Sequence, residues 1–151
     1  MKRSYYNSPV GILELQEDQG HLIGLYFRDA QGIENNNSDL FIEVKKQLDE
    51  YFVGKRSTFT LPLKITGTPF QEGVWNALLD IPYGETRSYL QQAQYIQNPK
   101  AVRAVGTTNG KNKISIIIPC HRVIGKDGSL TGYGGELWRK KWLLEHEKKY
   151  R

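Results

Sequence analysis

Ser88-Tyr89-Leu90-Gln91-Gln92-Ala93-Gln94-Tyr95-Ile96-Gln97-Asn98-Pro99-Lys100-Ala101-Val102-Arg103-Ala104-Val105-Gly106-Thr107-Thr108 holds two helix starts in quick succession. Ser88 followed three residues later by Gln91 is a capping box, in which each side chain satisfies a backbone N–H left over by the first helical turn. It predicts a helix through about Ile96. Asn98-Pro99 offers a cap and a proline for a second helix from Lys100 to about Thr107. Upstream, Thr68-Pro69-Phe70-Gln71 repeats the signal, and Phe70, Val74, Ala77, Leu78 and Ile81 form an apolar stripe that ends at Ile81-Pro82-Tyr83-Gly84. Three short helices with a tight turn before the last read as a helix-turn-helix pattern, with residues 100–107 as the recognition helix. That helix is small-sided except for one long cation, Arg103. Ala101 and Ala104 either pack on the neighbouring helix or let the backbone approach a ligand.

Downstream, Asn109-Gly110-Lys111-Asn112 reads as a turn feeding Ile116-Ile117-Ile118-Pro119-Cys120-His121-Arg122-Val123-Ile124, which carries the chain's one cysteine. The isoleucine run predicts a buried strand. A free thiol, with a pKa of about 8.5, is mostly protonated at neutral pH and needs a base to become nucleophilic. His121 is the adjacent candidate. The alternative is a small core residue, which is what most free cysteines are. Beyond it, Gly125-Lys126-Asp127-Gly128 and Gly132-Tyr133-Gly134-Gly135 predict loops able to approach a planar ligand closely. A last helix, about Glu136 to Lys149, is expected to turn Leu137, Trp142 and Leu144 to a core and to carry His146-Glu147 near its end.

Before the helices, Val10-Gly11-Ile12-Leu13-Glu14-Leu15 and Leu22-Ile23-Gly24-Leu25-Tyr26-Phe27 predict a β-hairpin turning at Asp18-Gln19-Gly20. Ser38 caps a helix with Phe41, Val44, Leu48 and Tyr51 or Phe52 on one face and Gly54 as its stop. The expected class is α+β, with a small N-terminal supporting lobe over residues 1–65 and a mainly helical lobe over residues 66–151 containing the helix-turn-helix and the cysteine loop.

The charge divides the same way. Residues 1–65 hold 8 Lys+Arg against 9 Asp+Glu, net −1, whereas residues 66–151 hold 13 against 7, net +6. A basic lobe is the footprint of a phosphate-backbone binder, because its cations release condensed counterions. Lys148, Lys149 and Arg151 supply half of that excess from the tail. One cysteine forms no internal disulfide, and no signal-like segment or membrane-length apolar run is present, so a reducing cytoplasm is expected. The three histidines and one cysteine show no CxxC or HxxxH spacing, so no structural metal and no cofactor is expected.

Taken together, Tyr83-Gly84-Glu85-Thr86, Ser88-Tyr89, Asn98 to Gly106, Asn109-Gly110-Lys111-Asn112, Pro119 to Ile124 and Trp142-Leu143-Leu144-Glu145-His146-Glu147 resemble the O6-alkylguanine-DNA alkyltransferases, or methylated-DNA–protein-cysteine methyltransferases. The resemblance covers roughly residues 68–147. It implies DNA repair in one turnover: the Cys120 thiolate attacks the alkyl carbon on O6 of guanine and keeps the alkyl group, with O4-alkylthymine a second candidate substrate. It implies that His121 acts as the base through a water, that Glu147 orients His121, and that Asn112 ties the turn to the active-site loop.

The same resemblance assigns Tyr89 to the guanine ring nitrogen and Tyr133 to the pocket wall. The backbone of Cys120 and Val123 would accept from the exocyclic amine, Gly134 would face O6, and Ser115 would line the alkyl pocket. Arg103 would fill the space left by a flipped nucleotide, and Lys100, Ala101, Ala104, Thr107 and Arg122 would also contact DNA. The implied partner is double-stranded DNA containing alkylated guanine, entered from the minor groove largely without regard to sequence, by a monomer with no obligate protein partner and no membrane association.

The chain departs from the family pattern at Thr108, at Lys113 after Asn112, and at Ser115, where relatives carry alanine, proline and proline. Three other readings stand beside this one. An alkyltransferase-like protein binds damage without accepting the alkyl group, but carries another residue in place of the nucleophile. A Cys-His hydrolase leaves the basic helix-turn-helix unexplained. A helix-turn-helix regulator with a redox cysteine would need an open thiol.

Overall fold

The computed structural model describes residues 1–130 and 136–151. Three antiparallel strands open the chain: β1 (Lys2–Ser8), β2 (Gly11–Asp18) and β3 (His21–Arg28), in the order β1-β2-β3. Leu13 and Leu15 of β2 pair with Phe27 and Leu25 of β3, and Leu13, Leu15, Leu22 and Leu25 are completely buried. Both turn residues, Gln19 and Gly20, have positive φ (49° and 78°), the two-residue hairpin turn whose twist suits a right-twisted ribbon. β1 was not expected from the sequence. Its Ser4 and Tyr5 are buried nonetheless, and Tyr5 Oη donates to Glu14 at 2.8 Å.

α1 (Asp39–Phe52) starts where the sequence places it. The Ser38 side chain accepts from the N–H of Phe41, and Phe41, Val44, Leu48 and Tyr51 are buried at 3–4-residue spacing. After α1, the buried Gln47 amide donates to the Thr60 carbonyl and accepts from the Thr60 N–H, which holds the returning chain. The Leu22 N–H then donates to the Pro62 carbonyl and the Lys64 N–H to the Leu22 carbonyl. This first compact unit comprises residues 1–64 with 113–115 and Tyr150, and the second comprises residues 65–112 and 116–149 with Arg151.

In the second unit, α2 (Pro69–Leu78) and α3 (Tyr89–Tyr95) each carry the complete capping box, Thr68 with Gln71 and Ser88 with Gln91. α4 (Val102–Asn109) begins two residues later than expected and, among the described residues, without a side-chain cap. Asn98 is instead part of the turn: Gln97 takes a left-handed φ of 60°, the Asn98 N–H donates to Ala93, and the Asn98 carbonyl accepts from the Ala101 N–H. Trp75 of α2 is buried and its indole N–H donates to the Thr108 carbonyl at 3.0 Å, which fixes the last turn of α4 against α2.

The isoleucine run is not a strand. Ile114 makes one isolated bridge to Leu25, and Ile116 then takes φ of 72°, a left-handed conformation that ends extended pairing even though Ile116, Ile117 and Ile118 stay buried. Two short strands appear elsewhere: β4 (Arg87–Ser88) pairs in parallel with β5 (Val123–Ile124). They place the first turn of α3 beside the residues that follow the cysteine. α5 (Leu137–Lys149) closes the chain, and its buried residues are Lys140, Leu143, His146 and Glu147. This corrects the expected core face: Leu137 is exposed, and Trp142 and Leu144 are half-buried.

Candidate active site

The cysteine sits in a folded-back loop whose shape follows from proline. Pro119, at φ −81° and ψ 64°, is the centre of an inverse γ-turn in which the Cys120 N–H donates to the Ile118 carbonyl at 2.8 Å. The Arg122 N–H donates back to the Pro119 carbonyl at 3.0 Å, so Cys120–Arg122 forms one turn of 3₁₀ helix. Asn112 locks this loop to the end of α4. Its Nδ2 donates to the Ile118 carbonyl at 2.8 Å and reaches Cys120 Sγ at 3.2 Å.

Next to the thiol, His121 is completely buried and its Nε2 lies 2.6 Å from Oε2 of Glu147 on α5. Glu147 also receives Arg122, Nε to Oε1 at 2.8 Å and Nη2 to Oε2 at 3.2 Å. Burial alone would push the Glu147 carboxyl up. The histidine and guanidinium beside it outweigh that and hold it well below the usual carboxylate range, so it is ionised. Burial lowers the His121 pKa, against the pull of Glu147 and with the push of Arg122 and Lys140, which leaves a neutral imidazole. Since Nε2 donates to the carboxylate, Nδ1 carries the lone pair, and among the described residues it has no hydrogen-bond partner.

Burial also pushes the Cys120 thiol up, opposed by the Asn112 amide, the charge of Lys140 and nearby backbone N–H groups. At rest the pair is therefore a thiol and a neutral base. Lys140 is completely buried, and its Nζ donates to the Val123 carbonyl at 2.5 Å and lies 5.7 Å from the centroid of the Tyr89 ring. Its burial brings it down to about 8, with the cysteine pulling it back up.

The structure thus puts Asn112 within hydrogen-bond reach of Cys120 and Glu147 within reach of the adjacent His121, and places Tyr89 at the start of α3, half-buried. The Val123 carbonyl, expected to accept from a substrate amine, already accepts from Lys140. Ser115 falls in the first unit, its N–H donating to the Leu25 carbonyl at 3.0 Å. Tyr133 and Gly134 lie outside the described residues. On α4, Arg103, Ala104 and Thr107 are exposed along one face while Val105, Thr108 and Asn109 are buried; Lys100 is exposed and Ala101 partly so just before it.

Arg122, expected among the DNA contacts, is only 7% exposed, its guanidinium engaged by Glu147 and by the Ile81 carbonyl at 2.7 Å. Lys140 was missed altogether. Its signal was present as Lys140, Leu143 and Glu147 at helical spacing, which puts two opposite charges on the face that Leu143 buries.

Comparison with known proteins accounts for both halves of the chain. Residues 1–65 match the 6-O-methylguanine DNA methyltransferase ribonuclease-like domain, and residues 69–149 match the DNA binding domain of the same family. The chain belongs to the O6-methylguanine DNA methyltransferase family. It is similar to the constitutive methylated-DNA–protein-cysteine methyltransferase of Bacillus subtilis, 44% identical over 96% of each chain. A methylated-DNA–protein-cysteine methyltransferase of Methanosarcina mazei is 49% identical over 95% of this chain and 96% of its own. The crystal structure of Mycobacterium tuberculosis OGT in complex with DNA superposes with a TM-score of 0.91 at 45% identity, covering 99% of this chain and 94% of that one.

Proposed function

We propose that this protein repairs DNA by moving the alkyl group of O6-alkylguanine onto Cys120, once per molecule. The observation that carries the reading is the buried Cys120–His121–Glu147 arrangement with Asn112 at the sulfur, in a chain whose close relatives are named methylated-DNA–protein-cysteine methyltransferases. Cys120 Sγ loses its proton to the free Nδ1 of His121, relayed through a water, while Glu147 holds the opposite edge of the ring. The thiolate attacks the alkyl carbon, the S–C bond forms as the C–O6 bond breaks, and the electron pair goes to guanine. Tyr89 supplies a proton to the departing base, which reduces the charge developing on it.

No second carbon acceptor is needed in this scheme. A thioether is a poor leaving group, so the protein is spent. The resting thiol pKa, raised by burial, suits such a protein, since a thiol kept neutral until the base is bound wastes little on other electrophiles.

O6 of a stacked guanine is out of reach of a buried thiol, so the nucleotide must leave the helix at a cost of a few kcal/mol. The exposed face of α4, with Arg103, Ala104 and Thr107, is small enough to enter the minor groove, and Arg103 is long enough to fill the vacated place. Lys100 adds a phosphate contact. Recognition is then largely independent of sequence and weakens with salt. No helix among the described residues is long and apolar enough to cross a membrane, and a reducing cytoplasm keeps Cys120 a thiol.

The experiment is a titration of duplex DNA carrying one O6-methylguanine with increasing protein. Repair that stops at one lesion per protein molecule supports single-turnover transfer, and continued turnover refutes it.

A further inference from the structure

We infer that Arg122 is a positioning residue for the alkyl transfer and not a contact to DNA: it holds both oxygens of Glu147, so that the carboxylate orients His121 without turning it into a cation. The inference rests on the transfer reading above. It begins from geometry. The Arg122 guanidinium is 8% exposed, and three of its nitrogens are engaged: Nε and Nη2 by Glu147 at 2.8 and 3.2 Å, and Nη1 by the Ile81 carbonyl at 2.7 Å. Its face lies 5.7 Å from the centre of the Tyr83 ring. Little of the group is left for a phosphate.

What the arrangement does follows from counting charge. Glu147 brings −1 and Arg122 +1, so His121 faces a neutral pair although it hydrogen-bonds to an anion at 2.6 Å. Without the guanidinium, a bare buried carboxylate would stabilise the imidazolium, and a protonated His121 has no lone pair with which to take the Cys120 proton. The charged groups facing His121 are Glu147 and Lys140 from α5 and Arg122 from its own turn, and the two cations act in the same direction. Orientation matters as well. Through Ile81, Arg122 ties the chain after α2 to the cysteine turn and to α5, a three-way link that a lysine, with its compact ammonium, cannot reproduce.

The test uses the full-length protein with Arg122→Met and Arg122→Lys, on two substrates: free O6-benzylguanine and a duplex carrying O6-methylguanine. The readouts are the rate of Cys120 alkylation against pH, the thermal melting curve, and the salt dependence of DNA affinity. Arg122→Met should slow both reactions by about tenfold or more at neutral pH and move the acidic limb of the rate profile up by about one pH unit. Arg122→Lys should restore the position of that limb but only part of the rate, and the salt slope of DNA binding should stay that of the wild type in both variants.

Loss confined to the duplex, with a shallower salt slope, would overturn the inference in favour of a DNA contact. An unchanged rate and pH profile in a folded but less stable Arg122→Met would overturn it in favour of a purely structural role. If Arg122→Met does not fold, Arg122→Lys decides: an equal partial loss on both substrates supports the inference, and a duplex-only loss or none overturns it. A wild-type protein that leaves Cys120 unalkylated refutes the transfer reading itself, whereas active wild type with indifferent variants refutes only the role of Arg122.

Discussion

Nε2 of His121 stands 2.6 Å from Oε2 of Glu147, with both side chains removed from solvent, so the tautomer of the histidine is set by an anion 26 residues away in the chain. Glu147→Gln should reduce the rate of alkyl transfer on the order of 10²-fold, because a carboxamide can donate to Nε2 and leave the proton on Nδ1, where the lone pair is needed. It also leaves Arg122 as an uncompensated buried charge, at a cost of roughly 3–5 kcal/mol. Chemical denaturation together with single-turnover rates on the folded fraction separates the two effects.

Asn112 connects the end of α4 to the cysteine loop by donating to both the Ile118 carbonyl and Cys120 Sγ. Asn112→Ala should raise the thiol pKa further, since a donor to sulfur favours the thiolate. Iodoacetamide labelling of Cys120 across pH would show the alkaline shift, and a labelling profile identical to the wild type would count against this contact.

Lys140 produces a stability signature with a definite sign. Its pKa in the folded protein is about 8, below the ordinary 10.5, so the unfolded chain binds this proton more tightly than the native one. The penalty for burying the cation is fully present below pH 8 and is relieved as pH rises from about 8 to 10.5. The stability of the wild type relative to Lys140→Met should therefore increase across that window. Paired denaturation curves at pH 7.5, about 9 and about 10.5 measure the difference.

Arg103 lies on the exposed face of α4, and the proposed function gives it a role on the duplex and none in the chemistry. Arg103→Ala should slow repair of duplex O6-methylguanine by on the order of tenfold or more while sparing transfer from the free base, because only the duplex requires a base to be held out of the stack. Equal losses on both substrates would show that Arg103 has no part in flipping.

Local signals that have a local cause were legible in the sequence. Thr68 with Gln71 and Ser88 with Gln91 satisfy backbone groups within a few residues, and both capping boxes form as read. The hairpin at Gln19-Gly20 and the cap at Ser38 belong to the same class. What failed needed partners distant in the chain. β1 was hidden because Arg3, Ser4 and Asn7 look polar, whereas pairing with β2 buries Ser4 and Tyr5.

The isoleucines at 116–118 read as a strand because hydrophobicity reports burial and not backbone angle. The resemblance put Arg122 among the DNA contacts, and its carboxylate partner, 25 residues away in the chain, was not visible from the sequence. The buried face of α5 escaped for a related reason: an apolar-stripe argument selects Leu137, Trp142 and Leu144, whereas the face actually buried is Lys140, Leu143, His146 and Glu147, which the charges of the site demand.

The measurement that bears most directly on the account is the mass of the peptide containing Cys120 after incubation with a duplex bearing one O6-methylguanine. The account predicts a gain of one methylene unit on Cys120, stoichiometric with the guanine restored and absent in Cys120→Ala. An unmodified Cys120 beside a repaired duplex, or a repaired duplex with Cys120→Ala, would contradict it.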